Sequence, residues 1–505
     1  MHRLVIALTA LLSLTAGAYL AGYLLLFSGS ADTAAELAPA DTAIFLSLSL
    51  QPSSGQDGKV RQLASRLPGF ADTSAFDEKI DELAQNLLSQ VGLDYRQHVK
   101  PWLGPQLAVV MRDLTAGPTL LVAVRDQAAA VESLLTLEAD RGGAFDAASH
   151  GGVEVRSSDG IAYAFVGDTL VVGSDPAAVQ AVIDVSAGAE SLADRAEFGT
   201  AMERLEDDRL ASVFVDLAAV LGEQSRYRTA AGALVAEPEG LVLRGRADTG
   251  DVDGGAASTG APPDEAATLP EWMPPDTQVA VSAFDAGELL LSAEALLSEV
   301  PAAEGLAGTI DSARILFAFG LGLDLNDLIL ELMRGEGGLA LQGLDTDAPS
   351  GQLLLRPSDP EAAIALLDDL VERLEGTGAD VERDERDGVE LVTVGLADLG
   401  SLAYAVTDEI VILGLGADGV EAAVSAHETG ENLASTDEYG AAWSLAGTHG
   451  GNEVLVDPAV LLALLGFGGE LPSDARDILA QLGAVAITLP DRGDHLEFHA
   501  VLTVE

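Results

Sequence analysis

The sequence predicts an α+β fold that is used twice, after an N-terminal transmembrane helix. Each of two tandem homologous repeats is predicted to be a mainly antiparallel sheet with helices packed on one face. Internal repetition is the first observation behind this prediction, because short segments of the first half return in the same order in the second. The other two are short β-like runs interspersed with helical stretches, and an uncharged apolar stretch near the amino terminus.

Four pairs of matching segments define the repeat. They are Pro39-Ala40-Asp41-Thr42 with Pro274-Pro275-Asp276-Thr277, Gly92-Leu93-Asp94 with Gly322-Leu323-Asp324, Glu197-Phe198-Gly199 with Glu438-Tyr439-Gly440, and Val213-Phe214-Val215-Asp216 with Val454-Leu455-Val456-Asp457. Their offset drifts from 235 to 230 residues and settles at 241, as expected of duplication followed by small loop insertions. The predicted boundaries are 1–30 for an anchor or signal, 31–248 for the first repeat, 249–268 for an acidic linker rich in Gly and Pro, and 269–505 for the second repeat.

Short apolar runs predict the strands, and longer polar–apolar stretches predict the helices that separate them. In the first half the expected elements are a hairpin at 106–111 and 119–124, a helix at 126–141, and a meander at 153–155, 161–166 and 170–173. In the second half they are strands at 338–342 and 351–355, a helix at 359–375, and strands at 389–394, 402–406 and 410–413. Adjacent short strands joined by turns favour antiparallel pairing, and the helices between them must cover a sheet face.

Residues 4–27 form a stretch of 24 residues without a charge. As a helix it reaches roughly 36 Å, which is enough to span a bilayer with some tilt. Arg3 precedes the stretch while Asp32 and Glu36 follow it, so we expect a single-pass protein of the cell membrane with its bulk extracytoplasmic. The alternative is secretion after signal cleavage near Ser28-Gly29-Ser30, although signal h-regions usually run about 7 to 15 residues.

The composition excludes several classes of function. The absence of cysteine excludes thiol catalysis, iron–sulfur clusters, thiolate zinc sites and lipid attachment through cysteine. A formal charge of −55 repels phosphate backbones and anionic headgroups, so nucleic acid is not an expected partner. Salt would screen this self-repulsion, so the charge indicates either a salt-adapted or alkaline-adapted habitat or simple solubility.

The glycines at 414, 416 and 419 have the spacing of a dinucleotide-binding loop between a predicted strand and a helix, and Asp437 follows near the ribose-binding distance. The corresponding junction in the first half, Gly173-Ser174-Asp175-Pro176, lacks two of these glycines and resembles a strand end with a helix cap. A nucleotide cofactor is therefore not expected.

Two further sets of polar residues contain the side-chain types that bind metal ions. On a strand, His495, Glu497 and His499 project from one face, but their alternation with apolar residues is explained by a solvated strand face. In the linker, Asp248, Asp251 and Asp253 could bind a hard cation. Their segment does not match the twelve-residue calcium-binding loop that ends in Glu, so a solvated linker is expected.

Single residues give no stronger candidate. The remaining histidines (His98, His150, His427 and His449) are expected singly in polar surroundings, and Trp102 is expected in core or rim packing. The sequence has no nucleophile elbow, S-x-x-K pair or P-loop lysine. We therefore assign no catalytic, cofactor-binding or metal-binding residue.

The opening motif Pro39–Thr42, the triplet Gly92-Leu93-Asp94, and Pro101-Trp102-Leu103-Gly104 before Gln106-Leu107-Ala108 together resemble a family of exported, membrane-anchored bacterial proteins known only as a domain of unknown function. That family occurs largely in high-GC Gram-positive bacteria. The resemblance implies a membrane-tethered extracytoplasmic protein and supplies no site residues. In the second half, Glu331-Leu332-Met333-Arg334-Gly335 stands where the tryptophan motif would fall, so the halves need not share a ligand site.

Three hypotheses of function follow. The first is a non-enzymatic binding or scaffolding module of the cell envelope, with an unknown envelope protein as partner and the membrane bound through the N-terminal helix. The second is a carrier or chaperone for an apolar ligand such as lipid. The third is an extracellular hydrolase that uses paired carboxylates.

Overall fold

The computed structural model describes much of the chain in two compact units that divide between residues 253 and 254. The described residues are 33–50, 54–67, 70, 78–79, 81–82, 84–85, 94–113, 117–141, 145–158, 160–222, 225–249, 266–284, 335–344, 350–357, 359–386, 389–396, 400–447, 450–458, 460 and 481–504. The predicted membrane segment and most of the predicted linker lie outside them. Among the described helices, none has both the length and the apolar character needed to cross a membrane.

An antiparallel sheet organises the first unit. Its described strands are β1 (Ile44–Ser49), β2 (Leu103–Met111), β3 (Thr119–Val124), β4 (Asp146–His150), β5 (Val153–Ser158), β6 (Ile161–Val166), β7 (Thr169–Gly173), β8 (Ala211–Asp216), β9 (Tyr227–Glu237) and β10 (Gly240–Thr249). They pair in the order β4-β5-β6-β7-β3-β2-β1-β8-β9-β10, and every neighbouring pair is antiparallel.

Several helices of the first unit start where an aspartate carboxylate accepts a hydrogen bond from a backbone amide. Asp126 accepts from Ala129 N at 3.1 Å, and Asp175 accepts from Ala178 N at 2.9 Å with Pro176 in the first turn. The helices whose bounds are described are α1 (Ser54–Ala64), α2 (Gln127–Arg141), α3 (Pro176–Ser186), α4 (Ala196–Met202) and α5 (Leu217–Leu221), with 3₁₀ turns at Thr33–Glu36 and Leu192–Asp194 and a π-helical turn at Tyr95–Val99.

Apolar side chains of β1, β8 and α4 form the centre of the first unit's core. Phe198 lies edge-on to Phe45 and Phe214, with ring centroids 5.7 and 5.1 Å apart, and all three rings are buried. Such edge-to-face pairs stabilise by about 1 kcal/mol beyond burial alone.

The second unit repeats the element order. Its described strands are β11 (Val279–Phe284), β12 (Glu336–Gln342), β13 (Ser350–Arg356), β14 (Asp380–Arg386), β15 (Val389–Leu396), β16 (Gly400–Val406), β17 (Val411–Leu415), β18 (Asn452–Val456), β19 (Leu482–Leu489) and β20 (His495–Val504). Its described helices are α6 (Pro360–Thr377), α7 (Ala417–Thr429) and α8 (Asp437–Ala446), with 3₁₀ turns at Leu269–Trp272 and Leu433–Ser435.

The strand order of the second unit, β14-β15-β16-β17-β13-β12-β11-β18-β19-β20, matches that of the first strand for strand. Every pair from β14 through β19 is antiparallel. Registers match too, since Ile44 faces Val215 and Met111 while Val279 faces Val456 and Leu341. Two residues are called equivalent below when they occupy the same register position in the two sheets. Residues of matching helices are called equivalent when they lie the same number of residues after the capping aspartate.

The predicted mixed fold with mostly antiparallel strands is confirmed, and several element bounds agree within one or two residues. The outermost strands β4 and β14 were missed, because Asp146–His150 is small and polar and Asp380–Arg386 is almost wholly charged. Strand β2 begins before the predicted residue 106, at a register shift between Leu103 and Leu107. A Cβ on Gly104 would lie 2.6 Å from Ala123 O, so only glycine fits there.

Candidate functional site

The glycine motif of the second unit belongs to a strand-to-helix turn. It joins β17 to α7, but β17 pairs antiparallel with β13 and β16, whereas a dinucleotide fold needs a parallel βαβ unit. Gly416 has φ of 78°, and a Cβ on Gly414 would lie 2.9 Å from Val420 N. Asp437 lies in the first turn of α8. These glycines permit a tight turn and close helix packing.

The polar residues of β20 have partners of other kinds. His495 Nδ1 lies 2.7 Å from Asp494 Oδ1, Glu497 pairs with Arg492 at 3.0 Å, and His499 Nδ1 lies 3.0 Å from Ala446 O. Burial alternates from His495 to Ala500, where the three polar residues are half-buried and not fully solvated, and every residue from Ala500 to Val504 is buried. No cluster of three His, Asp or Glu among the described residues could hold a metal ion.

The histidine at 427 is not in the polar surroundings that were predicted for it. Its ring stacks on Trp272, with centroids 3.7 Å apart and planes 4° from parallel. His150 pairs with Asp184 at 2.6 Å, in agreement with a polar setting. Trp102 is buried, as expected, and its indole N–H donates to His98 O.

Of the remaining sequence candidates, only one aspartate of the linker lies in the described part of the chain. Asp248 accepts from Arg204 and Arg246, each at 2.8 Å, which uses the carboxylate in ion pairs within the first unit. Asp251, Asp253, His449 and the segment 331–334 lie outside the described residues.

A buried carboxylate on β12 organises the start of the second unit. Glu336 Oε1 accepts from Thr268 N at 2.7 Å, Leu269 N at 3.0 Å and Ser282 Oγ at 2.7 Å. Its Oε2 accepts from Thr268 Oγ1 at 2.5 Å, and Arg356 Nε lies 3.8 Å away. Thr268 supplies both a backbone and a side-chain donor, so the carboxylate caps the 3₁₀ turn and fixes it to β11.

The first unit has a neutral side chain at the equivalent position. Gln106 lies two residues before Ala108, which faces Ser47 on β1. Glu336 likewise lies two residues before Gly338, which faces Ser282 on β11. Gln106 Oε1 accepts from Thr33 Oγ1 at 2.8 Å, and its Nε2 donates to Ser47 Oγ at 3.0 Å. The same contact is therefore made by an amide in one unit and a carboxylate in the other.

A second buried carboxylate, Glu453, lies on β18 directly opposite Ser282. It accepts from Tyr439 Oη at 3.2 Å and from Gly450 N at 3.3 Å. Burial raises the pKa of Tyr439, and the negative charges of Glu453 and Glu336 raise it further. Tyr439 is thus held as a neutral donor, which suits a structural hydrogen bond and not a base or nucleophile.

In the first unit a helix is tied to the sheet by three polar side chains. Arg156 Nε donates to Glu138 Oε1 at 2.7 Å, and Tyr163 Oη donates to the same oxygen at 2.5 Å. Arg156 lowers the pKa of Glu138, while burial and then Glu138 raise the pKa of Tyr163. We call these three residues the α2 clasp.

The surface of the two units carries one repeated apolar position. Val131 and Ile364 both lie five residues after the capping aspartate of their helices, Asp126 and Asp359. Their neighbours Ala130 and Ala363 are buried, but Val131 is 38% exposed and Ile364 is 40% exposed. Leu135, one turn further along α2, is 47% exposed.

The family model for "Protein of unknown function (DUF3352)" matches residues 4–393. The chain belongs to this family. The sequence resemblance to a domain of unknown function is thereby confirmed. No curated protein matches the chain.

Some solved structures are weakly similar to this family member. Two crystal forms of TP0453, forms III and I, show 9% and 8% identity with TM-scores of 0.25 and 0.26. Each alignment covers 45% of this chain, with 83% and 82% of the TP0453 chains.

Sequence reasoning missed both buried carboxylates. A signal was present, because Glu336 is the first residue of the otherwise uncharged strand Glu336–Gln342 and Glu453 is the second residue of the otherwise uncharged strand Asn452–Val456. A lone acid in an apolar run is seldom buried unless it is hydrogen-bonded. With 81 acidic residues in the chain, that signal was hidden by abundance.

Proposed function

We propose that this chain is a non-enzymatic, membrane-anchored extracytoplasmic protein whose two units bind or scaffold other components of the cell envelope. The uncharged stretch 4–27 is the anchor in this proposal. The shared strand order supports an origin of the units as tandem homologous repeats with helices on one sheet face. The buried Glu336 caps a 3₁₀ turn and the half-buried Glu138 ties α2 to the sheet, which favours a structural role for both.

The observation that carries the proposal is the exposure of Val131 and Ile364 at equivalent helix positions. Singly exposed apolar residues are common and need no function. An apolar side chain exposed at the same place in both units is what a repeated contact surface requires. Leu135 enlarges that surface on α2.

Site-specific cross-linking tests this proposal. A photoreactive amino acid is placed at position 131 or 364 of the full-length chain in the intact envelope, with Gln127 and Ala365 as exposed control positions on the same helices. Discrete cross-linked species from 131 and 364, absent from 127 and 365, are the expected result. Equal labelling at all four positions would contradict a binding surface at these helices.

The carrier and the hydrolase stay predictions. Native mass spectrometry of protein purified from the envelope at high salt distinguishes the carrier, because a tightly held apolar ligand would add a discrete mass. If replacement of the cleft carboxylates causes no loss of hydrolytic activity, the hydrolase hypothesis is wrong.

A further inference from the structure

The outermost strand β4 of the first unit has no described strand on its outer side. Within the described residues β4 pairs with β5 alone. The β4–β5 hairpin closes through Gly151 and Gly152, with φ of 57° and 85°, which is the backbone of a two-residue type I′ turn. In such a hairpin the residues that flank the turn, His150 and Val153, bond to each other.

Alternation along β4 then decides which groups face outward. If His150 bonds inward to β5, Ala148 and Asp146 do so as well. The N–H and C=O groups of Ala147 and Ser149 consequently point away from β5. The side chains from Asp146 to Ser149 are exposed, so nothing described covers this edge.

The equivalent edge of the second unit is protected. Strand β14, Asp380–Arg386, has charged side chains at every position except Val381, and charges along an edge oppose strand addition. The same alternation, counted from Arg386 facing Val389, turns the N–H of Glu385 outward. That N–H donates to Asp384 Oδ1 at 3.0 Å, so this outer amide already has an acceptor.

The charges beside β4 indicate the kind of strand that would pair with it. Glu154 on β5 faces Ser149 and pairs with Arg156 at 3.3 Å, and its side chain is 66% exposed. Asp184 contacts His150 and is 57% exposed. With a net charge of −55, a second copy of the chain would be repelled, while a cationic segment would be attracted.

We propose that the outer edge of β4 receives an extended, basic polypeptide segment of a partner protein, which adds one strand to the first unit's sheet. Backbone hydrogen bonds to Ala147 and Ser149 would hold the segment, and lysine or arginine side chains would meet Glu154 and Asp184. This inference deepens the proposed binding function by naming a second contact and its chemistry, and it does not depend on the helix surface at Val131.

The test uses the full-length protein and a labelled ten-residue peptide that alternates lysine with valine. Its negative control is the same peptide with glutamate in place of lysine. We expect the lysine peptide to bind, to weaken as salt rises, and to slow amide hydrogen exchange in residues 145–151. The glutamate peptide is expected not to bind.

Proline substitutions separate strand addition from charge attraction. Ser149→Pro removes an outward N–H while leaving the bonds to β5, and edge positions tolerate proline. It is expected to weaken peptide binding at least tenfold, while Glu385→Pro on β14 leaves binding unchanged. Circular dichroism and melting temperature show whether both variants fold.

Three outcomes would overturn the proposal. They are no binding of the lysine peptide, equal binding to the Ser149→Pro variant, and a concentration-dependent dimer that Ser149→Pro abolishes. The last would identify a second copy as the occupant. If the lysine peptide does not bind but position 131 cross-links, the β4 proposal is wrong and the proposed binding function is supported. If the lysine peptide binds but position 131 does not cross-link, the β4 proposal is supported and the helix surface is not a binding surface.

Discussion

Gln106 and Glu336 hold the same position in the two sheets. Each reaches from the second strand of its unit to a threonine at the start of a 3₁₀ turn and to a serine on the opening strand. The amide both donates and accepts, whereas the carboxylate only accepts. The second unit accordingly presents more donors to this position, two of which are backbone amides.

Replacement of Glu336 tests how much this contact stabilises the second unit. Glu336→Ala leaves two backbone N–H groups and two hydroxyls without their acceptor, so we expect a loss of about 3 kcal/mol in the free energy of unfolding. Glu336→Gln keeps an acceptor for the amides and is expected to lose about 1 kcal/mol. Urea denaturation at fixed salt measures both. Gln106→Ala is the control, and a loss as large as that of Glu336→Ala would contradict the capping role.

The α2 clasp predicts a pH dependence of stability. Arg156 holds the pKa of Glu138 below its ordinary value near 4.5, so the charged carboxylate is favoured in the folded state. This contribution is complete above about pH 4.5 and is lost as the pH falls through the lowered pKa. Glu138→Gln should therefore lower the free energy of unfolding at pH 7. The difference in this free energy between the variant and the wild type should become smaller at acidic pH. Urea titrations at each pH measure these free energies. For Glu132→Gln, on the exposed side of the same helix, the difference from the wild type should not become smaller at acidic pH.

Two helix glycines offer stabilising substitutions. Gly199 in α4 and Gly440 in α8 have open space where a Cβ would lie. Alanine there should increase the free energy of unfolding by about 0.5 to 1 kcal/mol per site. Gly414→Ala, in contrast, should destabilise because its Cβ would meet Val420 N. Thermal melts of the three variants measure the difference, and stabilisation by Gly414→Ala would refute the packing argument.

The stack of His427 on Trp272 predicts a fluorescence change. His427→Ala removes one face of the indole's contacts, so we expect red-shifted emission and a loss of about 1 kcal/mol in the free energy of unfolding. In a Trp272→Phe background the same substitution should leave the emission of the other tryptophans unchanged. A red shift that persists in that background would place its source at Trp102 or Trp443.

Periodicity predicted the strands whose apolar residues alternate or run together, and it predicted helices where an aspartate cap precedes an apolar stripe. It failed at β4 and β14, because an outermost strand has little core to contact and its sequence need not show apolar alternation. The contacts of Glu336 could not be predicted either, since they join residues 54 and 68 positions apart. Only the folded sheet brings those donors together.

The Pro-x-Asp-Thr segment is a backbone turn in both units. Thr42 N and Oγ1 bond to Pro39 O at 3.0 and 2.6 Å, and Thr277 makes the same two bonds to Pro274 O at 3.2 and 2.6 Å. The threonine hydroxyl donates inside the turn in both units, and in the second unit its oxygen also accepts from Gln342 Nε2 at 3.0 Å, so its described partners all lie within the fold. A search for relatives by this signature therefore retrieves shared architecture, and transferring an activity along with it would need separate evidence from each relative's own surface.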